Sequence, residues 1–216
     1  MDLLKHPDVT ISEFKKGDYI IRQGEKVEFL YLLVSGTCHR SIITEKGDEI
    51  IFAIRKPSEN FIQSLLGVLI LYSNGISVSN FIADTKCRCY RIPKQTFLDY
   101  VQDKTNLLNQ IIGLAVHESR ELASSFQARQ EGKVSKRFCE LLLNNTQQKQ
   151  GKLVVSKDYS NLTKISKFLG IHRVTVAKIV KVLKEKGVII KDENGIVILD
   201  EDKLLSFARA EKVIEY

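Results

Sequence analysis

Residues 161–189 read NLTKISKFLGIHRVTVAKIVKVLKEKGVI, and they decide the fold of the C-terminal part of the chain. Ile165, Phe168 and Leu169 fall on one face of a short helix. Gly170 can take the left-handed backbone that ends such a helix, and Ile171 plugs the angle that follows. Val176, Ile179, Val180 and Leu183 then form the inner face of a second helix, which is predicted to run to Lys186 and stop at Gly187. A short helix, a glycine turn and an amphipathic second helix make a helix-turn-helix. His172, Arg173, Thr175, Lys178 and Lys181 point outward from the second helix, with Val174 at its exposed N-terminal end. A recognition helix offers its N-terminal residues to base edges in the major groove. Downstream, GVIIKDENGIVILD (187–200) gives two β runs around Asn194-Gly195, a dipeptide suited to a type I′ hairpin. That hairpin is the expected wing of a winged helix.

Charge follows the same division. Residues 1–132 contain 16 Lys+Arg and 16 Asp+Glu, whereas residues 133–216 contain 17 and 10, so the whole net charge of +7 lies in the second part. Between 161 and 191, Lys164, Lys167, Arg173, Lys178, Lys181, Lys184, Lys186 and Lys191 are opposed by Glu185 alone. A surface of this kind is the footprint of phosphate contact. A solvated lysine-rich face is the alternative that charge by itself leaves open. The glycine turn and the wing decide for nucleic acid.

Upstream, residues 11–92 are predicted to be short strands punctuated by Gly17, Gly24, Gly36 and Gly47. The runs are DYIIRQGE, FLYLLVSG, CHRSIIT, IIFAI and KCRCYRI, with EKGDE as a hairpin turn. Strands this short, without long helices between them, predict an antiparallel roll or barrel. Pro93 then opens a helix, PKQTFLDYV. From Thr105 to Arg129 there is no proline, and Leu108, Ile111, Ala115, Leu122 and Phe126 follow a near-heptad stripe interrupted by Glu118. Such a helix would be roughly 37 Å long, more than a small roll can cover. It is expected to pair with its copy in a homodimer; packing on its own domain is the competing reading. GKVSKRFCELLLNNTQ is a further predicted helix, followed by NNTQQKQGK as a loop.

Other function classes are poorly supported. A hydrophobic fraction of 44% and a charged fraction of 27% are those of a globular chain. MDLLKHPDVTISEF is not a signal peptide, and FIQSLLGVLILY is too short to span a bilayer, so the expected location is cytoplasmic. Cys38, Cys87, Cys89 and Cys139 are expected to be reduced, and no histidine lies near Cys87 or Cys89 to complete a zinc set. No nucleophile–base pair, phosphate loop or metal spacing suggests an enzyme.

With these motifs in view, the chain from Phe14 to Leu199 resembles the Crp–Fnr family of bacterial transcription regulators. FKKGDYIIRQGEKVEFLYLLVSG is similar to the opening of the family's cyclic-nucleotide-type roll, and ISKFLGIHRVTVAKIVKVLKEKGVI to its DNA-binding core. The implied fold is α+β: an effector-sensing antiparallel β-roll over 1–104, a long dimerisation helix and hinge over 105–132, and a winged helix-turn-helix over 133–216. The implied partners are double-stranded DNA, a second copy of the chain, RNA polymerase and a small-molecule effector. The resemblance gives Arg173 the first base-reading position, where an Arg–guanine fork is worth about 1–3 kcal/mol. Val174 falls where many members carry a glutamate. A valine cannot accept from cytosine but can touch a thymine methyl, so an AT-rich palindromic operator is expected. Lys178 stands where members usually carry arginine and cannot make the fork. Thr175, Lys181 and Lys164 are expected on phosphates, and His172 is expected either at the helix start or on a phosphate.

In nucleotide-binding members a Gly-Glu pair holds the ribose and an Arg-Ser/Thr pair the cyclic phosphate. Here Gln63 and Ser64 align with the first pair, Ser77 and Val78 with the second, and Leu122 and Ala123 with the purine-facing pair of the long helix. An anionic phosphate without a counter-charge carries an uncompensated desolvation cost, which argues against cyclic AMP and cyclic GMP. An iron–sulfur sensor needs clustered cysteines, and none precedes Cys38; for haem, His39 and His117 are nominal ligands only. The expected cup is lined by Phe61, Ile62, Ser64, Leu65, Ser77, Ser79, Leu122 and Ala123, and suits a small uncharged or aromatic effector without a metal or resident cofactor. The competing reading makes this segment plain core and the protein constitutive. A further alternative is a ligand-binding signalling module whose basic C-terminal part meets a protein partner rather than DNA.

Overall fold

The computed structural model describes residues 2–130, 134–192, 195–209, 211, 212, 214 and 215, and the side chains of 121, 122 and 124–130 lie outside that description. The chain divides into two compact units, 1–123 and 124–216.

In the first unit the short apolar runs become β1 (Thr10–Phe14), β2 (Tyr19–Ile21), β3 (Phe29–Ser35), β4 (Cys38–Ile43) and β5 (Glu49–Arg55). A four-residue helix, α1 (Phe61–Ser64), leads into β6 (Leu65–Leu66), then β7 (Asn80–Ala83) and β8 (Cys87–Pro93). Two antiparallel four-stranded sheets result, ordered β1-β8-β3-β6 and β2-β7-β4-β5. Leu33, Cys38, Phe81, Cys87 and Cys89 fill one core of this unit. Pro93 caps α2 (Lys94–Val101), whose Phe97 and Val101 join Leu30, Ile62, Leu65 and Ile92 in a second core. The long helix is α3 (Thr105–Gln130).

Leu108, Ile111 and Ala115 were expected on a dimer seam. Ile111 is instead 5% exposed, and both Ile111 and Leu108 join the core built around Phe97. Ala115 is half-buried. The interruption at Glu118 explains the difference, because its carboxylate is held by Arg40 and Arg55 of the roll. The stripe is therefore the helix's contact with its own domain. The side chains of Leu122 and Phe126 lie outside the described residues. One position along runs a second heptad stripe, Ile112, Val116, Ser119 and Ala123, and all four are exposed.

The second unit contains α4 (Val134–Asn144), β9 (Thr146–Lys149), β10 (Lys152–Val155), α5 (Leu162–Leu169), α6 (Arg173–Glu185), β11 (Ile189–Asp192), β12 (Gly195–Ile198) and α7 (Glu201–Ala208). Its antiparallel sheet is ordered β11-β12-β10-β9. Phe138, Leu142, Ile165, Val176, Ile179, Leu183 and Ile196 are wholly buried in one core. Two readings of the sequence change here. The predicted loop NNTQQKQGK is largely a hairpin, in which Lys149 pairs with Lys152 across Gln150 and Gly151, both with positive φ. Asn194-Gly195 is not the centre of the wing turn: Gly195 pairs with Asp192 and opens β12, while Asn194 lies outside the described residues. Gly195 has its own steric reason. Its φ is +121°, and a Cβ there would stand 2.7 Å from the Ser160 hydroxyl. Among the described residues no helix is long and apolar enough to cross a membrane.

Candidate nucleic-acid interface and sensor site

The interface begins with the capping of α5. Asn161 accepts from the amides of Thr163 at 2.8 Å and Lys164 at 3.3 Å, satisfying two of the helix's first donors. Gly170, at φ 62° and ψ 44°, ends the helix in the left-handed region. Arg137 on α4 donates to the Leu169 carbonyl at 3.0 Å, so a cation from a neighbouring helix secures the last turn before the bend. Arg137 was not singled out in the sequence, because a lone basic residue on an amphipathic helix carries no positional signal.

His172 is the N-cap of α6, and its imidazole makes no capping hydrogen bond. Val176, Ile179, Val180 and Leu183 all face the core, as their spacing predicts. The opposite side presents His172, Arg173, Val174, Lys178 and Lys181 as exposed residues, while Thr175 and Lys164 are half-buried. Val174 is 67% exposed, an unusual position for an apolar side chain at the start of a surface helix. Lys181 approaches Glu185 at 3.8 Å, a solvated pair of little energetic weight. At the far end of α6, Lys203 donates to the Lys186 carbonyl at 3.0 Å. Beside β10, Lys149, Lys152, Lys157 and Asp192 line a hollow of about 380 Å³. Lys149 and Lys152 lie in the segment whose sequence reads as loop.

The expected effector cup is not assembled from the residues assigned to it. Ile62 and Leu65 are 1% and 5% exposed, and with Phe61 they belong to the core under α2. The Ser64 hydroxyl accepts from the Ser58 amide at 2.8 Å and donates to the Ser58 carbonyl at 3.0 Å. Ser77 donates to the Ser79 carbonyl at 2.6 Å, and the Ser79 hydroxyl accepts from Arg40 Nε at 2.9 Å. Ala123 is exposed, and the Leu122 side chain lies outside the described residues. The hydroxyls that were to meet an uncharged ligand are thus engaged within the chain.

What the roll does present is charge. Arg40 on β4 donates to Glu118 at 2.5 Å, and Arg55 on β5 donates to the other oxygen of the same carboxylate. Side-chain exposures are 20%, 19% and 13% for Arg40, Arg55 and Glu118. Neither arginine carries a signal in the sequence, because both lie outside the nucleotide cassette and meet Glu118 only through the fold. Nearby, His39 hydrogen-bonds Asp84 and Glu49, each at 3.0 Å, and Ser41 donates to Glu49 at 2.7 Å. Burial alone would lower the imidazole's pKa, but the bonds to Asp84 and Glu49 outweigh it and raise it. With both nitrogens engaged, His39 is not available as an axial ligand. Burial pushes the thiols of Cys89 and Cys139 up to about 12 and that of Cys38 higher still, so these sulfurs stay protonated. Among the described residues no group of three or more histidines, cysteines or acids is placed to hold a metal.

Comparison with known proteins agrees with this architecture. A family described as "Cyclic nucleotide-binding domain" matches residues 11–104, and one described as "Crp-like helix-turn-helix domain" matches 136–207. The chain is 25% identical over 189 residues to the cAMP-activated global transcriptional regulator CRP of Salmonella typhimurium, covering 83% of this chain and 84% of that protein. It is 23% identical over 181 residues to the CRP-like cAMP-activated global transcriptional regulator of Mycobacterium tuberculosis, covering 82% and 78%. The structure of FixK2 from Bradyrhizobium japonicum superposes with a TM-score of 0.75 at 15% identity, covering 96% and 99% of the two chains.

Proposed function

The chain belongs to the Crp–Fnr family of transcription regulators and carries the family's helix-turn-helix DNA-binding domain, and from that premise we propose that it works as a homodimer on an AT-rich, near-palindromic operator. The observation that carries the reading is the first turn of α6. Arg173 and Val174 stand side by side there, both exposed, one able to fork onto guanine and the other to cover a thymine methyl. Lys178, Lys181, His172, Thr175 and Lys164 surround them with phosphate contacts, which fix register without specifying sequence. Two copies of α6 reading successive major grooves require a two-fold dimer. The exposed stripe Ile112, Val116, Ser119 and Ala123 offers the seam that would bring them together, in place of the half-buried Leu108 and the buried Ile111. RNA polymerase is the expected protein partner once the dimer is on its operator.

The roll acts as the sensor, but its cassette positions are not built to hold a cyclic nucleotide. Gln63 accepts from Ser58 and Ser64 is closed onto Ser58, while Val78 is 69% exposed, so no carboxylate for a ribose and no cation for a phosphate stands at these positions. The Crp relatives are named as cAMP-activated; at the positions that the resemblance assigns to ribose and phosphate this chain has Gln63, Ser64, Ser77 and Val78. Isothermal titration showing micromolar cyclic AMP binding would overturn that part. The central reading is tested by gel shift with Arg173→Ala on an AT-rich palindrome. An affinity loss of about 5- to 150-fold, corresponding to about 1–3 kcal/mol, with relaxed preference at the contacted guanine is expected. Unchanged affinity and preference would refute the base-reading role.

A further inference from the structure

Two arginines that share one carboxylate make an unusual pairing for the inside of a small roll. Cys38 pairs with Arg55 across β4 and β5, and Arg40 pairs with Ala53 two positions on, so both arginines stand on the same face of their sheet. That face is closed by Glu118, which gives one oxygen to each guanidinium. Within this group of three, positive charge exceeds negative by one, and all three side chains are largely withdrawn from water. Each guanidinium has five N–H donors. Arg40 directs one to Ser79 and one to Glu118, and Arg55 directs one to Glu118. Ser79, itself 1% exposed, is fixed from behind by Ser77, and the Arg40 guanidinium lies 5.7 Å from the centroid of the Phe81 ring. The donors are therefore pre-oriented around a position that already holds an oxyanion.

We propose that Arg40, Arg55 and Ser79 form an oxyanion-binding site whose resident occupant is Glu118, and that a small molecule bearing a carboxylate or phosphate binds there by displacing it. The chemistry is fork recognition: guanidinium pairs prefer planar or tetrahedral oxyanions and hold them by charge-assisted hydrogen bonds. A dianionic phosphate in the place of Glu118 neutralises both guanidiniums, a monocarboxylate reproduces the glutamate's charge, and an uncharged ligand would leave both arginines unpaired. Displacement also frees α3 from two charged contacts with the roll. Because α3 begins in the sensor unit and continues past Ala123, occupancy is read out on the helix that leaves the domain. This regulatory consequence rests on the chain's reading as a regulator; the binding site itself does not.

The test uses the full chain free of DNA, titrated calorimetrically at constant ionic strength with inorganic phosphate and, separately, with sodium benzoate. Glu118→Gln removes the internal competitor, so at least one of the two anions should bind about tenfold more tightly than to the unaltered chain. Arg55→Gln should abolish that binding in either background. Tighter binding of phosphate alone assigns the site to phosphates, and of benzoate alone to carboxylates. Glu118→Gln with no gain for either anion, or binding that survives Arg55→Gln, overturns the proposal. Should Glu118→Gln fail to fold, thermal melts of the unaltered chain decide the matter. Phosphate or benzoate must raise the melting temperature relative to chloride, Arg55→Gln must remove the effect, and equal curves refute the site. No DNA is present, so loss of operator binding in Arg173→Ala has no bearing on this result.

Discussion

Ile111 and Ile112 are neighbours on α3 with the same side chain, and the structure assigns them opposite work. Ile112 is 60% exposed, whereas Ile111 is 5% exposed and packs with Phe97 and Ile62. Burying an isoleucine side chain completely is worth about 1.5–3 kcal/mol, so a dimer seam that covers the open part of Ile112 gains about 1–2 kcal/mol per protomer. A two-fold interface contains the residue twice, and Ile112→Ala should therefore weaken dimerisation by about 2–4 kcal/mol, roughly 30- to 1,000-fold in Kd. The fold of the sensor unit should be untouched. Ile111→Ala should do the reverse. It leaves a cavity in the core at a cost of about 2–5 kcal/mol to the unit's stability, and any folded protein should still dimerise. Sedimentation velocity across a concentration series gives association, and calorimetric melting gives stability. The reasoning fails if Ile112→Ala dimerises like the unaltered chain, or if folded Ile111→Ala dissociates while Ile112→Ala does not.

Val174→Glu introduces an acceptor beside Arg173, and should shift preference at one operator position from thymine toward cytosine by about 1–3 kcal/mol, measured by competition gel shift. Lys181→Gln should weaken binding similarly on all sequences and lower the slope of log affinity against log salt by about one. Gly195→Ala places a methyl 2.7 Å from the Ser160 hydroxyl at φ +121°, and should cost the second unit about 2–4 kcal/mol in urea unfolding. Adding Ser160→Gly should recover only the steric part. The imidazole of His39 titrates above its ordinary 6.5 because the bonds to Asp84 and Glu49 outweigh its burial. Its contribution to stability is then complete below the unfolded value and lost as pH rises through the folded one. Melting temperature should fall from about pH 6 upward, and His39→Gln should flatten that slope.

The helix-turn-helix was legible because its signals are local. Val176, Ile179, Val180 and Leu183 are spaced by the helix period, Gly170 sits at the bend, and no residue beyond the segment is needed to read them. The cluster of Arg40, Arg55 and Glu118 was not legible for the opposite reason. Glu118 is 78 residues from Arg40 and 63 from Arg55, and only the pairing of β4 with β5 brings those arginines to one face. The β9–β10 hairpin escaped because Thr146–Lys149 is polar, an edge strand stabilised by its turn and its neighbour rather than by apolar alternation. On α3 the difficulty was register. Leu108-Ile111-Ala115 and Ile112-Val116 both satisfy a heptad, and a one-dimensional pattern cannot say which stripe the roll will cover.

Those two stripes on α3 also connect the halves of the functional reading. The stripe containing Ile111 and Glu118 is held by the roll, and the adjacent stripe containing Ile112 and Val116 faces solvent. Neighbouring stripes of one helix cannot rotate independently. If Glu118 leaves Arg40 and Arg55, α3 beyond the packing of Leu108 and Ile111 loses its two charged anchors on the roll, and any adjustment there carries Val116 with it. An oxyanion at the arginines would therefore change the geometry of the dimer seam without touching it. The same coupling makes operator affinity sensitive to Glu118→Gln even in the absence of any ligand. Equal operator affinity of Glu118→Gln and the unaltered chain, measured by gel shift at matched dimer concentration, would separate the seam from the arginines and refute the coupling.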